Sequence, residues 1–298
     1  MILSTNELFK KAYTSNRVEI SGELLIQLQK TLLEMLSDFA NVCEKYGFYY
    51  SLCGGTALGA VRHQGFIPWD DDVDVFMHRK DLLNFYSVFE KELGKTYDLH
   101  SCEITPELGI PIIRILKKGT TFILHDTLDS KERGVFIDIC LLENAPNNKI
   151  VRTLHGIGSL YYGYCVSCSR FYRKKELYRA QFDDAEEHIK KEIEKKIKIG
   201  RMLSWRSLKN WTLKYSKWNA FCKNNESRDV VCPTGMKHYF GEIFPRRIYM
   251  KTKSIKFEHQ EFQIIEDYDW ALTKLYGDYM VVPPVEKRDT HYVLDIKL

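Results

Sequence analysis

The sequence lacks a long hydrophobic run. In 298 residues, no uninterrupted apolar stretch approaches the roughly 18 residues that cross a bilayer. The N-terminal MILSTNELFKKAYTSNR also lacks the charged, apolar and small-residue succession of a secretory signal. These absences argue against a membrane-spanning or secreted protein, and they predict a cytoplasmic one.

A disulfide framework is also lacking. The cysteines are scattered without secretory framing, which is typical of reduced thiols. Only Cys165 and Cys168 form a CxxC pair. A zinc site that adds Cys222 and Cys232 is an alternative, but the spacing of that second pair is unusually long. Plain thiols are the simpler interpretation. The eight cysteines lie at positions 43, 53, 102, 140, 165, 168, 222 and 232.

Internal repeats and low-complexity segments are absent, and the formal net charge is only +4. That charge is unevenly distributed, because residues 170–230 hold 17 Lys or Arg against 9 Asp or Glu. The rest of the chain is therefore mildly acidic. Such asymmetry indicates an anionic partner, which could be a nucleotide, a lipid headgroup or a phosphorylated polymer. A solvated helical face is an equally good explanation.

The 44% hydrophobic and 13% aromatic content is ample for a folded core. Helical spacing predicts an amphipathic helix over residues 20–47, and GGTALGAVRH reads as a turn that opens a short helix. Another helix is predicted at about residues 80–93. Strands are predicted at FYYSL (48–52), VDVFM (73–77), IPIIRIL (110–116), TFILH (121–125) and GVFIDICLL (134–142). Strands mixed with helices predict an α/β or α+β fold, with a mixed sheet core flanked by helices.

The character of the sequence changes after the turn-rich NAPNNK at 144–149. Residues 151–230 are mainly helical by pattern. IKFEHQEFQII (255–265) then predicts a hairpin-like pair, and DYDWALTKLYG (267–277) a helix that Gly277 ends. The predicted regions are a core at 1–148 with its N-terminal helix, a basic and mainly helical region at 149–235, and a C-terminal segment at 236–298.

Three consecutive aspartates, with a fourth two residues on, stand in GGTALGAVRHQGFIPWDDDVDVF at 54–76. Adjacent carboxylates repel one another unless a cation or solvent relieves them. Because alternate strand residues share a face, Asp72 and Asp74 should project together while Val73 and Val75 enter the core. Two carboxylates on one face suit a shared Mg²⁺ or Mn²⁺ ion.

Two further elements fit the same site. Asp138 in GVFIDIC is flanked by apolar residues, and a buried carboxylate needs a partner. If its strand lies beside residues 73–77, Asp138 becomes a third acidic group that serves as metal ligand or as base. The Gly54-Gly55-Thr56 turn would let the backbone approach a phosphate at a helix N-terminus.

This combination of strand, GG turn, short helix and paired aspartates is the pattern of the nucleotidyltransferase superfamily related to polymerase β. The version GGTALGAVRHQGFIPWDDDVDVFMHR closely resembles the motif of the LicD and fukutin-related family. Further pieces of that family are similar to four other stretches, namely GVFIDIC, FEHQEFQII, LYGDYMVVPP and KRDTH. Residues 145–235 show little similarity to the family. His259 stands where the family usually has glycine after FE.

The resemblance implies a phosphotransferase that moves a substituted phosphate, such as phosphocholine or ribitol phosphate, from a CDP-activated donor to a sugar hydroxyl. Asp72 and Asp74 would hold the metal, and Asp138 would complete the catalytic and metal site. The donor would be bound by Gly54, Gly55, Thr56, Arg62, His63 and Trp69. Further candidates for the site are Asp70, Arg114, Arg288 and His291.

The same resemblance implies roles for the other regions. The basic region at 149–235 would bind a glycan or lipid-linked glycan acceptor, such as a teichoic-acid or lipopolysaccharide precursor. The segment at 236–298 would return to complete the active site. The protein would contact the inner face of the membrane peripherally, and no nucleic-acid partner is expected, because the basic region shows no recognisable nucleic-acid module.

Three alternatives stay open from the sequence. The same carboxylates could serve a nucleotidyltransferase that uses an NTP and releases pyrophosphate. A non-catalytic polyanion or membrane-surface binder is a second alternative. A calcium loop from Asp70 to Asp81 is a third, although Val75 stands where that loop needs glycine.

Overall fold

The structure is a computed structural model that describes residues 18–124, 133–288, 290, 291 and 293–298. Statements about the fold refer to these residues. The helices are α1 (Gly22–Tyr46), α2 (Gly54–His63), α3 (Arg79–Glu92), α4 (Lys149–Arg173), α5 (Lys175–Gln181), α6 (Glu187–Met202), α7 (Leu208–Asn219), α8 (His238–Gly241), α9 (Arg246–Tyr249) and α10 (Tyr268–Tyr276). Short 3₁₀ turns span Pro106–Leu108 and Val285–Lys287.

The strands are β1 (Ser51–Leu52), β2 (Asp74–His78), β3 (Tyr97–His100), β4 (Ile113–Lys117), β5 (Thr121–Leu124), β6 (Phe136–Ala145), β7 (Asp229–Val231), β8 (Ile243–Pro245), β9 (Thr252–Phe257), β10 (Gln260–Ile265) and β11 (Val293–Lys297). The main sheet runs β3-β4-β6-β2-β1-β10-β9, with β7 and β8 attached to the far end of β6. β2 pairs in parallel with β6, and β1 with β10, whereas the remaining pairs are antiparallel. The predicted mixed sheet and α+β class are confirmed.

Helix α1 forms as its periodicity predicts. Its apolar positions face the sheet, and they are buried at Leu25, Leu28, Leu32, Leu33, Met35, Leu36, Phe39, Ala40, Val42 and Cys43. Gly47 ends the helix with φ of +68°, and its backbone N–H bonds the carbonyls of Cys43 and Glu44. Glycine adopts this left-handed conformation without the strain that a Cβ would bring.

The predicted strand at FYYSL is mostly wrong, because only Ser51 and Leu52 pair as β1. The preceding aromatic residues are held by ring packing rather than by a strand ladder. Phe48 stacks on Tyr46 with ring centroids 5.6 Å apart, and Tyr50 packs edge-on against Phe39 at the same distance. Apolar burial in this short segment therefore comes from ring contacts with α1 and, through Phe85, with α3.

The predicted strand at TFILH does not join the main sheet. Its described part is β5, which pairs with β11 in a separate two-stranded sheet, and His125 lies outside the described residues. The predicted hairpin at 255–265 is confirmed as β9 and β10. The turn residue Glu258 has φ of +57°, so the hairpin closes without the glycine that His259 replaces.

Helices α4 to α7 form most of residues 149–219, as predicted, whereas residues 220–230, which the prediction included, form turns and the beginning of β7. Asn148 caps α4 by accepting hydrogen bonds from the backbone N–H groups of Ile150 and Val151. β7 then returns the chain to β6. No helix in the described ranges has the length and apolar character needed to cross a membrane.

All eight cysteines are free thiols. Cys165 packs with Trp211 and Tyr215, whereas Cys232 packs in a different cluster with Phe244 and Tyr249. Within the described residues, the cysteines of the four-thiol zinc interpretation do not meet.

Candidate active site

The beginning of β2 places two carboxylates side by side. Asp74 opens the strand and is the register partner of Asp138 on the parallel strand β6. The Asp138 backbone N–H donates to the Val73 carbonyl over 2.9 Å, while Val73 and Val75 are fully buried. Strands β2 and β6 are therefore neighbours, as the prediction for Asp138 required.

Asp138 has the partner that its burial requires. The Nε of Arg114 donates to Asp138 Oδ1 over 2.9 Å, and both side chains are more than nine-tenths buried. The Arg114 guanidinium also lies 4.0 Å from the ring centroid of Phe136. Arg114 lies on β4, in the interior of the main sheet between β3 and β6.

The GGT turn packs against the aspartates. Gly54 begins α2 with φ of +54°, and a Cβ there would come within 2.8 Å of Asp74 Oδ2. A Cβ on Gly55 would come within 3.1 Å of Asp70 Oδ2. The buried Thr56 hydroxyl oxygen accepts a hydrogen bond of 2.9 Å from the Asp74 backbone N–H. The three residues thus fix the start of β2 and leave a narrow approach to its carboxylates.

The C-terminal segment adds a histidine to this cluster. The backbone N–H of His291 donates to Asp71 Oδ2 over 3.0 Å, and His291 Nδ1 lies 2.9 Å from Asp71 Oδ1. His291 Nε2 lies 3.7 Å from Asp72 Oδ2. In the described part of the chain, Asp71, Asp72 and His291 are the group whose ligand atoms lie within 4.8 Å of one another.

Sequence reasoning did not name Asp71 among the candidate site residues. Its side chain is buried, because it holds the His291 backbone and ring. The signal that could have identified this contact was the KRDTH piece at 287–291, of which Asp289 lies outside the described residues.

The carboxylates of the cluster are buried and lie close enough together to shift one another's pKa values. Burial, followed by repulsion from Asp72 and other neighbouring aspartates, raises the pKa of Asp70 and of Asp74 well above the usual range. Burial also raises the pKa of Asp72, although His291 opposes that rise. For His291, burial lowers the pKa, but the Asp72 charge and the hydrogen bond to Asp71 outweigh it and raise the value to about 10.

The donor set fits a divalent cation. Asp70 Oδ2 is buried without a hydrogen-bond partner among the described residues, next to carboxylates that destabilise one another. Hard oxygen ligands of this kind suit Mg²⁺ or Mn²⁺, and a cation would remove the repulsion. The calcium-loop alternative is wrong, since strand β2 occupies the stretch between Asp70 and Asp81.

Predicted donor-site residues gather beside this cluster. Arg62 Nε donates to His63 Nε2 over 2.9 Å, and another guanidinium nitrogen donates to the Tyr279 carbonyl over 2.9 Å. The rings of His63 and Trp69 meet edge-on at 6.5 Å. The Arg288 guanidinium lies 3.9 Å from the Trp69 ring centroid. Trp69 thus joins the C-terminal segment to the loop that carries the aspartates.

Glu258, in the turn between β9 and β10, holds the same loop from the other side. Its carboxylate accepts a hydrogen bond of 2.9 Å from the Phe66 backbone N–H, and its own N–H donates to the Gln64 carbonyl over 2.8 Å. A Cβ on Gly65 would come within 2.1 Å of the Glu258 carboxylate, so a side chain there would displace that carboxylate from the Phe66 N–H. The sequence identified the FE piece by resemblance but not this role.

Replacement of Glu258 with alanine is expected to lower the free energy of unfolding by about 1 kcal/mol, because the Phe66 N–H loses its charged acceptor. Urea unfolding followed by circular dichroism measures the effect. Glu261→Ala on the adjacent exposed strand position removes only a hydrogen bond from Ser254, and it should change stability by less than about 0.5 kcal/mol. Equal effects of the two changes would contradict the assigned role.

Residues 47–151 match a family model described as "LicD/FKTN/FKRP, nucleotidyltransferase domain". The matched span contains the GGT turn, the aspartate cluster and Asp138. Fold and site therefore define a transferase of the nucleotidyltransferase-like class.

The chain is 31% identical over 287 residues to the lipopolysaccharide cholinephosphotransferase LicD of Haemophilus influenzae, which covers 90% of this chain and 96% of that protein. This chain belongs to the LicD family and is a LicD-type transferase. A shorter stretch of 69 residues is 38% identical to the human ribitol 5-phosphate transferase FKRP, covering 23% of this chain and 14% of that protein. An uncharacterised protein of Rickettsia typhi is 32% identical over 120 residues, which cover 40% of this chain and 34% of that protein.

Proposed function

We propose that this protein is a metal-dependent phosphotransferase. It moves a substituted phosphate, with phosphocholine as the first candidate, from a CDP-activated donor to a hydroxyl of a surface glycan or teichoic-acid-type precursor, and it releases CMP. The observation that carries the proposal is the register pairing of Asp74 with Asp138 on adjacent strands, beside the GGT turn, with the charge of Asp72 acting on Asp74. The near full-length similarity to a lipopolysaccharide cholinephosphotransferase supports phosphocholine and a glycan acceptor.

The position of each site residue suggests its role in the reaction. Asp72 and Asp74 would hold the cation, and Asp138, fixed by Arg114, completes the site. A bound Mg²⁺ or Mn²⁺ would neutralise the donor diphosphate. Gly54 and Gly55 leave room for phosphate oxygens at the N-terminus of α2, where backbone N–H groups point toward an anion.

The other donor-site residues would orient the nucleotide part. The Arg62 charge acts on Asp70 of the acidic cluster, and the Arg288 guanidinium lies over the Trp69 ring. His63 is hydrogen-bonded to Arg62, and burial followed by the Arg62 charge lowers its pKa. A neutral imidazole can accept or donate one proton near neutral pH without adding charge to the pocket.

The test is release of CMP. The purified chain with Mg²⁺ and either CDP-choline, CDP-ribitol or CDP-glycerol is expected to release CMP when a water-soluble glycan acceptor is added. Asp72→Asn should reduce the rate by about 10³-fold, since it removes a charge that acts on the reacting phosphate. Absence of metal-dependent CMP release with every donor would reject the proposal.

A second candidate, a nucleotidyltransferase, is favoured by the matched domain description. It would attack the α-phosphorus of an NTP with the same carboxylates. Its product would be pyrophosphate in place of CMP, so assaying both products in parallel reactions separates the two functions.

The region at 149–235 would bind the acceptor in this proposal, and the segment at 236–298 would complete the site through Arg288 and His291. The place of action would be the cytoplasm at the inner face of the membrane. The basic surface of the helical region would then meet a lipid-linked or polyanionic glycan.

A further inference from the structure

The first half of α4 exposes a row of apolar side chains. Ile150, Leu154, Ile157 and Tyr161 recur at helical spacing and are 72%, 60%, 54% and 53% exposed. We call these four residues the α4 stripe. They lie on one face of the helix, since positions three and four apart are neighbours. An uncovered apolar surface that is continuous along a helix indicates an interaction site more often than a scattered apolar residue does.

The second half of the same helix is covered, which makes the stripe distinctive. Gly200 of α6 lies so close to the Cys168 backbone that a Cβ would come within 2.0 Å of its carbonyl oxygen. Lys196 of α6 donates to the Ser167 hydroxyl over 3.0 Å. No element in the described ranges covers the stripe itself, as its exposure shows. Phe221 and Phe240 contact the helix beside it and are also more than 45% exposed.

Cations predominate in the segments that carry the stripe and its neighbour α7, although Asp229 lies beside α4, where it pairs with Arg152 over 2.8 Å. Residues 144–175 and 195–225, which contain α4 and α7, include 15 Lys or Arg and no Asp or Glu. The two helices are joined where His155 Nε2 lies 2.7 Å from the Trp218 carbonyl oxygen and the Trp218 indole N–H donates to the His155 carbonyl over 2.8 Å.

Cations border the stripe at both of its ends. Lys149 is exposed in the first turn of α4. Lys214 of α7 is exposed and lies 5.6 Å from the ring centroid of Tyr162, which neighbours Tyr161. A second copy of this face would bring like charges together, which opposes self-association. Nucleic acid would use the cations but would leave the aliphatic side chains unexplained.

We propose that the α4 stripe docks on a lipid bilayer that displays anionic headgroups. The apolar side chains would enter the boundary between headgroups and acyl chains, and Lys149 and Lys214 would meet the phosphates. This docking proposal rests on the proposed function, because it identifies the surface by which the enzyme would reach a lipid-linked acceptor.

Flotation of the purified full chain with lipid vesicles tests the docking surface, without donor, metal or acceptor. The chain is expected to float with vesicles of phosphatidylcholine and phosphatidylglycerol, less with phosphatidylcholine alone, and less at high salt. Leu154→Ser combined with Ile157→Ser should lower the partition coefficient at least about 10-fold, because two inserted aliphatic side chains are lost. Lys149→Gln with Lys214→Gln should remove most of the preference for anionic vesicles.

Ile26→Ser with Leu83→Ser is the matched control, since both residues are exposed helical aliphatics outside the stripe. It should float as the wild type does. Circular dichroism melts check that each variant is folded, and Ile150→Ser in the exposed first turn provides a second stripe variant if the double change fails to fold.

Three outcomes would overturn the proposal. They are a wild-type chain that floats with neither vesicle, folded stripe variants that float as the wild type does, and a wild-type dimer that the stripe variants dissociate without any vesicle binding. The phosphotransferase proposal fails separately, by an absence of CMP release with a water-soluble acceptor, whatever the flotation result.

Discussion

Asp74→Asn is expected to reduce phosphotransfer by about 10³-fold without lowering the melting temperature of the metal-free protein. The loss of activity follows from removal of a carboxylate that would hold the cation at the reacting phosphate. The preserved stability follows from the surroundings of Asp74, where burial and then the neighbouring Asp72 and Asp138 disfavour its charge. Asparagine keeps the shape of the side chain and removes the repulsion.

Initial rates of CMP release and thermal melts with and without Mg²⁺ measure the two effects. The wild-type melting temperature should rise with Mg²⁺, since a ligand that binds the folded state stabilises it. The variant should show a much smaller rise. Asp98→Asn on β3 is the matched control, because Asp98 is exposed and its ion pair with Lys118, at 3.4 Å, lies on the surface. A variant that keeps full activity, or one that loses activity together with several degrees of stability, would contradict the assignment.

The parts of the site that sequence could predict are those fixed by local pattern. Alternation of aspartate and valine sets which side chains enter the core at β2. Apolar neighbours on both sides mark Asp138 as a buried carboxylate. These local signals, together with strand order, are enough to bring Asp74 beside Asp138, and the structure shows that arrangement.

The parts that sequence could not predict depend on contacts between distant segments. Asp71 and His291 are 220 residues apart, and Phe66 and Glu258 are 192 apart. Nothing in the neighbourhood of Asp71 says that a backbone N–H from the C-terminal segment will need an acceptor there. The pairing of β5 with β11 could not be predicted for the same reason, since an apolar run specifies a strand but not its partner.

The Arg114–Asp138 ion pair belongs both to the sheet and to the candidate site, and a single substitution should reveal its contribution to stability. Replacing Arg114 with methionine is expected to lower the free energy of unfolding by about 3 kcal/mol. Loss of one partner from a buried ion pair leaves the other charge less well compensated. Both side chains of the Arg114–Asp138 pair are more than nine-tenths buried, so solvent cannot replace the guanidinium. Methionine keeps much of the contact with Phe136 and isolates the charge effect.

Urea unfolding of the single and double variants measures this effect. Asp138→Asn added to Arg114→Met should recover at least half of the lost stability, since the carboxylate charge is then removed together with the guanidinium, while the double variant stays inactive. Lys117→Met breaks an ion pair of similar length with Glu34 whose side chains are 23% and 54% exposed, and it should cost less than about 1 kcal/mol. If Arg114→Met and Lys117→Met were equally destabilising, the buried pair would not carry the stabilising role assigned to it. That role links the core of the sheet to the third carboxylate of the site.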